Sequence, residues 1–442
     1  MPKFQPPKGT RDFMPEDMAR RGYIFATVSK AFERFGFRPL ETPGFESWEL
    51  LGAKGGGGEA IKNEVYVFRD KAGREMGLRF DLTVPTARVV ASNPQLPKPF
   101  KRYQMGRVWR YDNPQAGRFR EFWQADIDVF GSSSMAAEAE CMACLASCLK
   151  ELGFRDFEIR LNSRKLLNGL AGAAGVDGKK LPAVFRALDK LEKQGRQAVE
   201  KELKEAGLRP KQAETLLNMA KMRGRPADVI MEARKTLEGF SEAQKGLDEL
   251  EEIMGLSKAY GIEGLITIDA GLVRGLDYYT GPIYEIAAKS KSGSGVGSIA
   301  GGGRYDSLVE LYGGPPTPAT GGSLGIERIY EIMLAGGMLN DIPTCSTKAF
   351  VAAAGEDQKL KKAAIETADK LRSAGIACET DVMARKLKQC FEYADKLRIP
   401  YVIIIGGQEL KSGKLTIKDM RKMEQRSMGV QEAIRMLKPP GK

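Results

Sequence analysis

The stretch from Tyr103 to Gly131, YQMGRVWRYDNPQAGRFREFWQADIDVFG, sets guanidinium and carboxylate groups at spacings that could do chemistry. Arg110, Arg118 and Arg120 gather around Asn113-Pro114 and Gly117, which are turn residues. Beyond them Phe122, Gln124, Asp126 and Asp128 alternate with Trp123, Ala125, Ile127 and Val129. That period of two predicts a strand with one apolar face and one polar, acidic face. Before the loop, Met105, Val108 and Trp109 give a mostly apolar run with arginines on it, a second strand. A solvated hairpin has no need of carboxylates aligned beside an arginine cluster. A pocket that holds a polyanion and a cationic or hydrogen-bonding small molecule does. The chain contains no histidine. Imidazole acid/base catalysis, His-based triads and His-ligated zinc are therefore excluded, and chemistry rests on Arg, Asp/Glu, Tyr, main-chain dipoles and the substrates' own groups.

The rest of the sequence supplies elements to position these groups. Length 442 gives room for about two to four domains. A helix is expected over Glu16–Phe35, stopped by Gly36, and a strand over Phe37–Thr42. Four glycines at 55–58 read as a phosphate-binding loop or a mobile surface loop, and no Lys-Ser/Thr follows to favour the first. Strands are expected at Glu64–Arg69 and Met76–Leu82, the latter running into RFDLTVP with a helix after Pro85. Ser134–Leu152 reads as helix, with Cys141, Cys144 and Cys148 on its apolar stripe, and Asp156–Leu161 as strand. Asn168–Tyr260 is rich in Lys, Glu, Leu and Ala with helical periodicity; it interrupts two β-rich stretches and reads as an inserted helical domain. Strand returns at Ile266–Ile268, and a linker lies near Asp341–Lys348. The remainder reads β-α-β-α-β-β-α: Ala349–Ala354, Lys359–Ala374, Ala377–Thr380, Ala384–Lys396, Tyr401–Gly406, Lys414–Asp419 and Gln431–Leu437.

Charge is uneven. Lys+Arg number 69 against 57 Asp+Glu, a balance of +12, and residues 345–442 hold 20 basic and 12 acidic residues. A basic C-terminal domain suggests a polyanionic partner such as nucleic acid, through Arg385, Lys386, Lys388, Lys418, Arg421, Lys422 and Arg426. The six cysteines suggest no disulfide framework. No apolar run approaches the ~20 residues of a membrane span, and MPKFQPPKGTRDFMP has no signal-peptide core. A cytoplasmic location is expected.

Two further motifs follow the hairpin: GLVRGLDYYTGPIYEI at Gly271–Ile286, then GGGRYDSLVELYGG with GGSLGIERI downstream. In this order the three resemble the histidyl-tRNA synthetase family of class II aminoacyl-tRNA synthetases, in its eukaryotic and archaeal-like form. The resemblance implies an α+β fold: a class II antiparallel sheet with flanking helices (1–167 and 261–340), a helical insertion (168–260) approaching the tRNA acceptor end, and an α/β anticodon-binding domain (345–442). The helix–strand–proline start resembles class II motif 1, which implies a homodimer. Substrates would be histidine, ATP and tRNA(His), with Mg2+ arriving on the ATP and no tightly bound cofactor.

By motif position Arg110 bridges the α-phosphate and the histidine carboxylate, and Arg274 takes the place that other class II enzymes give a metal ion. Arg118, with Arg120 after it, would hold the outer phosphates. Phe122 and Arg328 would sandwich adenine. Asp81 and Thr83, expected on one strand face, would bind the α-amino group. Gln124, Asp128, Tyr278 and Tyr279 would read the imidazole. A catalytically inactive regulatory subunit of histidine biosynthesis is the alternative; the presence of Arg110, Arg274, Arg328 and the basic tail argues against it.

Overall fold

The structure, a computed structural model, describes residues 4–53, 63–113, 117–275, 278–288 and 297–438. The glycines at 55–58 and the Pro114 turn position lie outside the described residues. The chain divides into two compact units, residues 1–12 with 24–338, and residues 13–23 with 339–442.

The first unit is built on a sheet of nine strands. In chain order the strands of this unit are β1 (Arg38–Pro39), β2 (Phe45–Ser47), β3 (Val67–Arg69), β4 (Glu75–Leu78), β5 (Phe100–Trp109), β6 (Glu121–Phe130), β7 (Phe157–Ser163), β8 (Arg223–Gly224), β9 (Ile266–Asp269), β10 (Pro282–Ala288), β11 (Ala300–Arg304) and β12 (Ala319–Gly325). The large sheet runs β1-β5-β6-β12-β11-β10-β7-β9-β8, and β2-β4-β3 form a small separate sheet. From β5 to β7 every pairing is antiparallel; β1 joins β5, and β9 joins β7, in parallel. The expected hairpin is the long β5–β6 ladder, from Phe100↔Phe130 to Trp109↔Glu121.

One face of this sheet is apolar. It carries Ala125, Ile127 and Val129 of β6, Leu324 of β12, and Tyr284 and Ile286 of β10, each at most 2% exposed. The helix Ala136–Glu151 packs there through Leu145, whose methyl would lie 2.8 Å from a Cβ at Gly322. Cys141, Cys144 and Cys148 are all 0% exposed on that helix, so they are core residues. Burial raises the thiol pKa of Cys141 and Cys144. The helix Pro15–Arg34 has proline at its start, Glu16 and Asp17 in its first turn and Arg34 in its last, all suited to the helix dipole. It stops at Gly36, which has φ +78°. Its apolar stripe, Ile24, Val28, Ala31 and Phe32, is fully buried.

Between β7 and β9 the described chain is helical except for β8, from Arg164–Ala173 to Ser241–Ala259. The second unit has strands β13 (Ala349–Ala353), β14 (Cys378–Thr380), β15 (Tyr401–Ile405), β16 (Leu415–Asp419) and β17 (Gln425–Met428), ordered β14-β13-β15-β16-β17. Both faces are covered: Val351, Ile403 and Ile417 join one apolar cluster, while Phe350, Val402 and Ile404 join the other. The sequence reading lacked β17 and the short helix Gly407–Ser412, both poor in apolar periodicity. Three predicted strands are shorter in the structure. The Phe37–Thr42 segment is strand only at Arg38–Pro39, Glu64–Arg69 only from Val67, and Met76–Leu82 only to Leu78.

Candidate active site

The other face of the sheet is polar, and the pairing fixes what meets there. Gln124, Asp126 and Asp128 of β6 stand opposite Gly106, Gln104 and Arg102 of β5. On the far side they face Gly325, Ser323 and Gly321 of β12. Next come Gly301 and Gly303 of β11, then Glu285 and Ile283 of β10. The glycines leave room for side chains laid across the sheet. A Cβ at Gly301 would fall 2.5 Å from Arg274 Nη1, and one at Gly321 would fall 2.3 Å from Asp128 Oδ1.

Asp128 is 1% exposed and forms a salt bridge with Arg102, itself 0% exposed. The Tyr305 hydroxyl also donates to Asp128 Oδ1, and Thr83 Oγ1 lies 3.5 Å away. Tyr278, Tyr279 and Tyr305 form a ring cluster beside it, with centroids 4.8 Å, 5.5 Å and 6.4 Å apart. Tyr278 donates from its hydroxyl to Asp81 Oδ2 at 3.4 Å. Gln124 Nε2 donates to Ser323 Oγ at 2.9 Å, while its Oε1 is buried without a partner among the described residues.

Asp81 and Thr83 need a correction. They do not share a strand: β4 has ended, and Thr83 is the first residue of the helix Thr83–Ser92. That helix begins at Thr83, before Pro85. Proline is tolerated there because first-turn N–H groups have no helical acceptor. Asp81 Oδ1 accepts from the Val84 N–H at 3.0 Å and so serves the helix start. The turn, rather than strand alternation, still brings Asp81 and Thr83 to the Asp128 pocket.

The arginines arrive from separate segments. Arg110 Nε donates to the Phe80 carbonyl at 3.0 Å, and its guanidinium lies 5.4 Å from the Phe122 ring centre. Arg274 pairs with Glu285 at 3.1 Å. Arg328 donates to the Gly117 carbonyl at 3.3 Å and to the Ser298 carbonyl. Burial lowers the Arg328 pKa, and the fields of Arg118, Arg274 and Arg110 lower it further. Four cations thus converge on one region. Arg118 pairs with Asp112 at 3.0 Å. Arg120 is taken up elsewhere: it stacks on Tyr111 at 4.1 Å and donates to the Asp112 carbonyl. Sequence reasoning missed Arg102, Ser323 and Glu285 as members of this constellation. Counting the hairpin register outward from its loop finds Arg102 opposite Asp128; Ser323 and Glu285 come from pairings with no local signal.

Burial dominates the acids. It pushes the Asp81 carboxyl up to about 6 against the pull of the Val84 N–H and Arg110. It pushes Asp126 up to about 7 against Arg102. Both values exceed the ordinary 3.8. The folded state thus keeps protons that the unfolded chain has lost, and the stability they contribute, complete below about pH 4, is lost as pH rises to about 7. Asp126→Asn cannot ionise. Its urea midpoint should match the parent near pH 4 and exceed it at pH 8; a gap that does not change with pH would contradict this assignment.

An antiparallel sheet whose polar face gathers arginines from three distant segments above buried carboxylates is the arrangement that the resemblance to class II aminoacyl-tRNA synthetases, a class of ligases, implies. A profile of the family "Histidyl-tRNA synthetase" matches residues 9–329, and one of the "Anticodon binding domain" matches residues 348–439. The chain belongs to the histidyl-tRNA synthetase family. It is 38% identical to a histidine–tRNA ligase of Thermococcus kodakarensis over 98% of both chains. It is 40% identical to one of Aeropyrum pernix, over 98% of this chain and 97% of the relative. The crystal structure of histidyl-tRNA synthetase from Nostoc superposes with TM-score 0.81 at 31% identity, covering 99% of each chain. A Bacillus halodurans structure, titled an ATP phosphoribosyltransferase regulatory subunit/histidyl-tRNA synthetase, shares the fold at TM-score 0.75 and 23% identity. Among the described residues, no helix is long and apolar enough to cross a membrane.

Proposed function

We propose that this chain, a histidine–tRNA ligase by family, uses its polar sheet face to activate histidine with ATP and then passes it to tRNA(His). In activation the histidine carboxylate attacks the α-phosphate, and pyrophosphate leaves. Two anions must meet while charge grows on the phosphate. Fixed guanidinium groups answer both needs because they stay charged and match planar oxygens. Arg110 and Arg274 flank the reacting groups, Arg118 holds the outer phosphates, and Phe122 and Arg328 hold adenine. Mg2+ enters with ATP as part of the substrate. Asp81 and Thr83 receive the α-ammonium. Gln124, Asp128, Tyr278 and Tyr279 line the imidazole end, where a ring that can both donate and accept fits a carboxylate and hydroxyls. Asp128 is already paired with Arg102 and Tyr305, so an apolar competitor would leave Gln124 Oε1, rather than Asp128, without a partner; a buried polar group left unpaired in this way discriminates against such a competitor.

The observation that carries this reading is the shared field of Arg110, Arg118, Arg274 and Arg328 beside the Asp81–Asp128 pocket. ATP–pyrophosphate exchange tests it. Exchange should occur with histidine and with no other amino acid. Histidine binding without exchange would favour the regulatory reading instead.

Residues 168–260 are proposed as the part that meets the tRNA acceptor end, and residues 345–442 as the anticodon reader. In the latter, Lys386, Lys388, Arg421 and Lys422 are exposed, whereas Arg385 is paired to Asp381 at 2.9 Å. A chain ending before Cys345 should keep exchange and lose most tRNA charging. Undiminished charging would remove the anticodon role. A homodimer in the cytoplasm completes the proposal.

A further inference from the structure

Asp128 already has a resident cation, because Arg102 neutralises it and Tyr305 donates to it. Asp126, two residues earlier on the same face, has no salt bridge among the described residues. It is 2% exposed and lies between Gln104 and Ser323 in the register. Its Oδ1 is buried without a hydrogen-bond partner among the described residues. The surrounding groups are Ser323, which is a hydrogen-bond partner, Arg102, Asp128 and Asp81, with Tyr278 and Arg79 also within its field. Arg79 is committed elsewhere: it donates to the Arg107 carbonyl at 2.9 Å and the Thr42 carbonyl at 2.6 Å. Asp126 and Asp128 thus share one guanidinium, Arg102, which is already paired with Asp128. An unpaired buried carboxyl is costly, and here burial raises its pKa to about 7, so that it keeps part of its protonation at neutrality. A cation arriving from outside would change that balance.

Position says which cation. Side chains two apart on a strand are separated by about 6.6 Å along it, close to the span of a histidine molecule. With the ring at Asp128 and the carboxylate toward the Phe122–Arg110 end, Asp126 lies under the middle of the substrate, within the field of Asp81. We propose that Asp126 is a second anionic contact for the substrate's α-ammonium, which would sit between Asp81 and Asp126. This rests on the site reading above. On binding, the ammonium replaces the proton that the empty site holds on Asp126, and affinity rises with pH in step.

Calorimetric titration at pH 8 with three ligands tests it: histidine, histamine (amine, no carboxylate) and imidazolepropionate (carboxylate, no amine). Asp126→Asn should weaken histidine and histamine by about 10- to 100-fold, the worth of a charge-assisted hydrogen bond, and leave imidazolepropionate unchanged or tighter. Unaltered histidine binding, or equal weakening of all three ligands, would overturn the inference. Asp81→Asn is the companion variant. If it separates amine-bearing from amine-free ligands and Asp126→Asn does not, only this inference falls. If neither does, the site reading falls with it. Asp126→Ser provides the same comparison should the asparagine variant not fold.

Discussion

Arg274→Ala should lower the rate of ATP–pyrophosphate exchange by about 10²–10³-fold or more, the loss that follows removal of one preorganised electrostatic group at a reacting centre. Histidine binding should remain measurable, since Asp81, Thr83, Gln124 and Asp128 stay in place. Arg274→Lys should recover little, because a lysine point charge cannot reproduce a planar fork. The arginine is held by Glu285 at 3.1 Å and lies across the β11 main chain at Gly301. Gly301→Ala is therefore a second test. Its methyl would occupy space 2.5 Å from Arg274 Nη1 and push the guanidinium aside, so exchange should fall while the urea midpoint moves little. Full exchange in Arg274→Ala would refute the role.

Asp128→Ala should act first on folding. It leaves the Arg102 charge buried and unpaired at 0% exposure and strips the Tyr305 hydroxyl of its acceptor. Breaking such a pair from one side costs about 3–5 kcal/mol, a large part of the roughly 5–15 kcal/mol by which domains are stable. A large drop in urea midpoint is the expected reading; an unchanged midpoint would contradict the pairing. The double variant Arg102→Met/Asp128→Leu separates stability from recognition. It removes both charges, so most stability should return while histidine affinity stays lost. If affinity also returned, Asp128 would have no part in reading the imidazole.

How much of this could be read from the chain follows from the distance over which each feature is written. The β5–β6 hairpin was readable because alternation and turn residues lie within a single stretch of sequence. The cysteine helix was readable for the same reason. At Asp81 and Thr83 the pattern misleads as to the element: RFDLT alternates like a strand, yet the Val84 N–H bonds to Asp81 and the chain turns into a helix. Arg102 was hidden because its partner is 26 residues away and only the ladder register joins them. Ser323 and Glu285 reach the site through strands β12 and β10, whose order in the sheet no local pattern states. Gly407–Ser412 and β17 were missed because exposed, polar segments carry little periodicity.

The glycines of β11 and β12 also limit redesign. A Cβ at Gly303 would stand 2.6 Å from the Pro282 carbonyl oxygen, and one at Gly321 would stand 2.4 Å from that of Ile127. There the bottom of the cleft is main chain, already at minimum bulk. Its depth cannot be increased by trimming those side chains, because there are none to trim. Acceptance of a larger amino acid would have to come from its walls, at Tyr278, Tyr279 or Tyr305, and each of those changes would disturb the groups that grip the substrate.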